Sequence, residues 1–277
     1  MTIAFTRKRV YALAATAAAA VTAAGLIGTG VASAQGSQHT AAGTATRPTA
    51  HPAAHAPRKA SDIPNLGLVE LKIEAYYGDP DGTGVPSATS NYARQTDHIT
   101  ARTGRYLKAR LRHPGHRKPA LVLDIDDTSL ITYGYEVSQG FGFTPASNLA
   151  YLQTHTLPAV FGMTTLANWA HQHGIRVFWI TGRHESQRPL TKANLTAVGY
   201  QAPDNQPHLF MKPDANPPAY LTCGLTCTTI QYKSMTREHI KHEGFDILAS
   251  MGDQFSDLKG GFADRRVKMP NPMYFIP

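Results

Sequence analysis

Four short apolar runs punctuate the chain from residue 120 onward. Ala120-Leu121-Val122-Leu123 is continuous, as expected of a strand buried on both faces. Ile175-Arg176-Val177-Phe178-Trp179-Ile180 is a second run, His208-Leu209-Phe210-Met211 a shorter third, and Phe245–Met251 a fourth. Between them lie stretches with helical spacing, about 163–173, 186–198 and 233–243. These end at Gly174, Gly199 and Gly244, the residue type that most readily takes the left-handed conformation just past a helix end. Two of these glycines lead directly into strands. Upstream, about 91–111 reads as a further helix after a Gly/Pro-rich stretch from Gly78 to Pro86. Strand and helix alternate without any internal repeat. The pattern predicts an α/β, Rossmann-like fold: a parallel sheet flanked by helices, a helical N-terminal extension, and a small insert near 130–160.

The first sixty residues follow a different rule. Arg7, Lys8 and Arg9 precede an Ala-rich apolar run from Tyr11 to about Val31, and Ala32-Ser33-Ala34 supplies a small-residue exit. This is the pattern of a secretory signal peptide over 1–34. The run is long enough to span a bilayer, so a retained anchor is the alternative. Its alanines and glycines make it only weakly hydrophobic, which favours removal and leaves no stable membrane anchor. Without a twin-Arg pair, general secretion is favoured, with Lys8-Arg9 a weak substitute. Residues 35–60 are Ala, Thr, Pro, His, Gly and Ser with basic residues and no acid, a composition expected of a disordered tail. The remaining 61–277 is expected to be the folded domain.

With that division the net charge of +8 changes meaning. Six of the 27 Lys and Arg residues fall in the first sixty positions, leaving 21 against all 19 acids in 61–277. A folded part near +2 gives little support to a nucleic-acid polymer as partner. One basic cluster remains: Arg102, Arg105, Lys108, Arg110, Arg112, Arg117 and Lys118, with no acid between Asp97 and Asp124. It is either a solvated helix face or a field that attracts anions. Cys223 and Cys227, four residues apart, are expected to form a short-loop disulfide in a secreted chain; two thiols do not make a zinc site.

In open α/β sheets ligands gather at the carboxyl ends of the strands. Here the first strand runs into Asp124-Ile125-Asp126-Asp127-Thr128, the second into Thr181-Gly182-Arg183, and the fourth into Gly252-Asp253-Gln254-Phe255-Ser256-Asp257. Acids packed this densely after a buried strand repel one another unless a cation neutralises them. Oxygen ligands without His or Cys suit Mg²⁺ or another hard divalent ion.

The motif Asp124-x-Asp126-x-Thr128 resembles the first motif of the haloacid dehalogenase (HAD) superfamily phosphatases. Thr181, Lys233 in Tyr232-Lys233-Ser234, and Gly252-Asp253-x-x-x-Asp257 resemble the second, third and fourth, in order. The wording around them, including Thr191-Lys192-Ala193-Asn194-Leu195, is similar to the secreted acid phosphatases of subfamily IIIB. Bacterial nonspecific acid phosphatases and plant vegetative storage proteins belong to that group. Lys212 is the alternative for the third motif.

The resemblance implies hydrolysis of small phosphomonoesters or nucleotides through an aspartyl-phosphate. Asp124 would be the nucleophile and Asp126 the acid and base. Thr181, the Gly182 amide and Lys233 would bind phosphate. The metal would be held by Asp124, the Asp126 carbonyl and Asp253. Asp257 would orient Lys233 or a metal-bound water, Thr128 would close the turn, and Arg183 would touch substrate or pair with a motif acid. Tyr133, Tyr135, Phe141 and Phe143 in the insert would either stack on a leaving group or pack the insert down. A storage or binding relative, a phosphotransferase using the same residues, and a cytosolic phospho-accepting domain are the competing readings. Asp126 and the signal peptide oppose the last.

Overall fold

A computed structural model of the chain describes residues 57–113, 115, 117–201 and 208–276. The expected signal peptide and nearly all of the expected tail lie outside the described residues. Two helices come first: α1 (Leu66–Tyr77), capped by the Asn65 side chain and closed by Gly78 at φ 71°, and α2 (Asn91–Leu111), capped by Ser90. β1 (Lys118–Leu123) follows, then the short insert helices α3 (Tyr133–Ser138) and α4 (Pro145–Thr154). Next come α5 (Met163–Gln172), β2 (Arg176–His184) and α6 (Arg188–Ala197). β3 (Leu209–Lys212), α7 (Thr229–His242), β4 (Phe245–Gly252) and β5 (Arg265–Lys268) complete the order.

The five strands form one parallel sheet in the order β3-β2-β1-β4-β5. All four expected strands are present and β5 adds an edge strand. The glycines at 174, 199 and 244 have φ of 78°, 87° and 89°, the conformation for which they were read. α7 begins four residues before the expected position, where Thr228 and Gln231 form a reciprocal cap, so Lys233 sits a turn inside the helix.

Side chains alternate across the sheet as the pleat requires. Leu121, Leu123, Val177 and Trp179 face a core shared with α1, α2 and α5; Ala120, Val122, Phe178 and Ile180 face a second core under α7. The ladder between β1 and β4 steps past Leu248, because Ala120 pairs with Ile247 and Leu121 with Ala249. α2 buries Thr96, Thr100 and Thr103 on one stripe, and each of these hydroxyls donates to a carbonyl of the preceding turn.

The extension is tied to the insert through aromatic rings. Tyr77 stacks on Tyr92 at 4.3 Å and on Tyr133 at 4.2 Å, and the Tyr133 hydroxyl donates to Asp79 at 3.0 Å. Tyr133 and Tyr135 are buried, so these two rings pack the insert down, whereas Phe143 is exposed. No helix among the described residues is long and apolar enough to cross a membrane.

Cys223 and Cys227 are disulfide-bonded across a turn at the edge of the second core. For so short a loop, chain entropy predicts a contribution of about 2 kcal/mol. Replacing both with Ser is expected to lower the unfolding free energy by about that amount in urea titration while leaving secondary structure by circular dichroism unchanged.

Candidate active site

Three strand ends converge on one buried cluster. β1 delivers Asp124, 6% exposed, and the chain then turns sharply: Ser129 and Leu130 donate their backbone N–H to the Ile125 carbonyl, and the Ser129 hydroxyl donates to that of Asp124 at 2.6 Å. Asp127 takes φ 49° to complete the turn, a conformation Asp tolerates better than most residues. β4 ends at Gly252, followed by Asp253 and a 3₁₀ turn ending at Asp257. Gly252 is required by close approach, since a Cβ there would lie 2.1 Å from the Cβ of Asp257. One carboxylate oxygen each of Asp124, Asp253 and Asp257 lie within 4.8 Å of one another, all three residues buried.

Lys233 enters this cluster from α7. Its Nζ donates to Asp124 Oδ1 at 2.7 Å and to Asp257 Oδ1. Lys212, the alternative, lies at the end of β3 opposite His184, outside the carboxylate cluster. Burial alone would pull the Lys233 ammonium toward neutrality, but the charges of Asp124 and Asp257 outweigh it and keep its pKa above the ordinary value.

One cation does not balance three acids. Burial, reinforced by Asp257, Asp253 and Asp126 and opposed by Lys233, holds the Asp124 carboxyl well above its usual range. Burial and then Asp257 push Asp253 up to about 6, although Asn271 and Gln254 each donate to its Oδ2 at 2.7 Å. Asp124 Oδ2 and Asp253 Oδ1 accept no hydrogen bond from the described residues, and neither does the Asp126 carbonyl. An all-oxygen, buried, over-acidic donor set of this kind fits a hard divalent cation.

Asp126, two residues beyond Asp124, is held apart from the cluster by Arg183. The guanidinium donates to it through Nε at 3.0 Å and through a terminal nitrogen at 2.6 Å, and its other terminal nitrogen donates to Thr191 at 3.1 Å. Pairing with a motif acid, one of the two expectations for Arg183, is present. Thr181 is buried within β2, three residues before its end, and its hydroxyl accepts from the Arg183 backbone N–H at 3.1 Å; Gly182 beside it is exposed, with no atom near where a Cβ would stand. Thr128 is wholly buried and its hydroxyl finds no partner among the described residues.

Several residues of the site escaped sequence reasoning. Asp127 is fully buried, accepts from the Thr132 N–H at 3.0 Å and from the Tyr274 hydroxyl at 2.9 Å, and thereby fastens the C-terminal segment to the first turn. Asn271 and Gln254 orient Asp253. Glu136, on α3, is buried near Asp126, and burial followed by that neighbour pushes its carboxyl up to about 7. Asp127 stood in the acidic run and could have been noticed. The stretch from Pro270 to Tyr274 has no periodicity to signal it.

The family model for HAD superfamily, subfamily IIIB (acid phosphatase) matches residues 83–277. The chain belongs to that subfamily. Acid phosphatase 1 of Solanum lycopersicum is 30% identical over 190 residues, covering 67% of this chain and 69% of that protein. Vegetative storage protein 1 of Arabidopsis thaliana is 29% identical over 160 residues, 56% of this chain and 55% of that one, so the chain spans about half the length of that relative. The fold is similar to the class C acid phosphatase from Bacillus anthracis, with a TM-score of 0.59 at 20% identity over 76% of this chain and 86% of that one. A second structure of the B. anthracis protein, with tungstate bound, gives 0.55. Within this acid phosphatase family the buried Asp cluster is the expected seat of a divalent metal.

The raised Asp253 pKa has a measurable consequence. Its folded value of about 6 against an ordinary 3.8 is a gap worth roughly 3 kcal/mol. A raised folded pKa favours the folded state below the unfolded value, and that contribution is lost as pH rises through about 6. In metal-stripped protein, Asp253→Asn carries no such burden. Its melting temperature relative to wild type should therefore climb between pH 4 and pH 6.5 in thermal scans; a difference independent of pH would contradict the assignment.

Proposed function

We propose that the chain is a secreted, metal-dependent phosphomonoesterase that works through an aspartyl-phosphate on Asp124. The observation that carries this reading is the division of labour between the two acids of the first turn. Asp124 sits in the carboxylate cluster with Lys233, while Asp126 is held two residues away by Arg183 on a separate set of hydrogen bonds.

Asp124, Asp253 and the Asp126 carbonyl would hold the cation, with Asp257 beside them. When bound, the cation would neutralise the carboxylates and stabilise charge on the transferring phosphate. Asp124 Oδ2, which accepts no hydrogen bond from the described residues, is the oxygen available to attack phosphorus. Asp126 protonates the departing alkoxide oxygen as the P–O bond to it breaks. It then takes a proton from the water that attacks the phosphorus of the aspartyl-phosphate, releasing phosphate and restoring the Asp124 carboxylate. Arg183 fixes the direction of Asp126 for both steps. Lys233, the Thr181 hydroxyl and the Gly182 N–H bind the remaining phosphate oxygens; at Gly182 the absence of a side chain leaves the backbone open to them. The similarly folded B. anthracis protein binds tungstate, a tetrahedral oxyanion, which is in keeping with a phosphate-binding role.

Small phosphomonoesters or nucleotides are the substrates that fit. The Cys223–Cys227 disulfide supports an oxidising, extracellular location. A storage role is the second reading, favoured by the names of two relatives, vegetative storage proteins 1 and 2 of Arabidopsis thaliana. The decisive experiment is hydrolysis of an aryl phosphate across pH 4–8 with Mg²⁺ and with EDTA. Release that needs the metal and falls by at least roughly a thousandfold in Asp124→Asn, which keeps its fold, is expected. No metal-dependent release by the wild type would leave the storage reading.

A further inference from the structure

The basic cluster of α2 takes no part in the site, yet the fold sets it against a second run of cations. The edge strand β5 reads Arg265-Arg266-Val267-Lys268, and with His98 and Arg102 of α2 these residues line a groove of about 250 Å³. None of the residues lining it is acidic.

Neutralisation is unevenly distributed around it. Arg110, further along α2, is paired with Asp246 at 3.4 Å and with Asp264. The Arg265 guanidinium lies 4.6 Å from the Tyr106 ring centre, which braces it without cancelling its charge. Arg102 and Arg266 are exposed and have no acidic partner among the described residues. A charged edge strand discourages sheet-to-sheet pairing, and that accounts for Arg266 on its own. It does not account for cations supplied from α2 across the groove, because like charges facing each other over a narrow gap repel. An anion between them would convert repulsion into attraction.

The groove also has a direction. Lys268 is paired with Gly252 in the β4–β5 register, one residue before Asp253, and its Nζ lies 5.5 Å from the ring centre of Phe255 in the same turn. The basic track therefore ends beside the carboxylate cluster. β5 has four residues, a reach of about 13 Å at strand spacing, enough for several anionic groups in line. The groove's volume is below the roughly 300–1,000 Å³ of small-ligand pockets, which favours a slender chain over one bearing sugars or bases. A phosphoanhydride chain carries closely spaced charge without such groups, and the forked Arg side chains match its oxygens.

We propose that the groove between α2 and β5 holds the non-reacting phosphates of a linear polyphosphate chain, presenting its end to the Asp124–Asp253 cluster. Its direction toward that cluster rests on the phosphatase reading; its capacity to bind the chain does not.

Binding of short linear polyphosphate and of orthophosphate is measured by equilibrium dialysis in EDTA, which leaves the carboxylate cluster no metal with which to draw phosphate. The full chain is compared with an Arg102→Glu/Arg266→Glu double variant, and both are checked for folding by circular dichroism. An Arg102→Gln/Arg266→Gln pair replaces it if the charge reversals fail to fold. Polyphosphate is expected to bind well ahead of orthophosphate, more weakly as salt rises, and with a Kd at least roughly tenfold higher in the variant. Equal Kd values for variant and wild type, or for the two anions, would overturn the proposal. Aryl phosphate hydrolysis by the wild type with Mg²⁺ judges the phosphatase reading separately.

Discussion

Lys233 brings a single positive charge into a buried space that also holds Asp124, Asp253 and Asp257, and much of the molecule is arranged around that imbalance. Burying one unpaired carboxylate is expensive; burying three within 4.8 Å is tolerable only with cations among them. α7 supplies one cation at a fixed point because its reciprocal cap sets where the helix starts. The remaining deficit appears as carboxyl groups held above their ordinary pKa, and it is the physical basis for a divalent metal at this position. The surrounding hydrogen bonds follow the same logic. Gln254 and Asn271 occupy one oxygen of Asp253 and leave the other free.

The parallel sheet makes the cluster possible by bringing the ends of β1, β2 and β4 side by side. What lies over those ends is held by different means. The insert is anchored through the stack of Tyr92, Tyr77 and Tyr133, and the C-terminal segment through Tyr274 on Asp127 and Asn271 on Asp253. In the proposed mechanism Arg183 performs the separation on which the chemistry would depend. It grips Asp126, a fourth carboxylate lying apart from the Asp124, Asp253 and Asp257 cluster and two residues from Asp124.

The parts of this architecture that follow a period were readable from the chain. Ala120–Leu123 and Val177–Ile180 read as strands because both faces are buried, and Gly174, Gly199 and Gly244 marked helix ends because the backbone there must turn left-handed. Asp124, Asp126, Asp253 and Asp257 were legible from their positions after strands, and Lys233 from the resemblance of the ordered motifs to the HAD phosphatases. The contacts of Asp127, Asn271 and Tyr274 were not legible, since they arise where an aperiodic C-terminal segment folds back 147 residues onto the first turn. β5 escaped for a related reason: Arg265-Arg266-Val267-Lys268 is polar, as an edge strand with one open side can be.

The central claim is that Asp124, Asp253 and Asp257 with Lys233 form a cation site two positive charges short of balance. The most direct measurement is calorimetric titration of the metal-stripped chain with Mg²⁺ near pH 6. The account predicts saturable binding of one ion per chain with release of protons from the displaced carboxyl groups, and loss of that binding in Asp253→Asn. Saturation by the variant at the same affinity, or no saturable binding by the wild type, would contradict it.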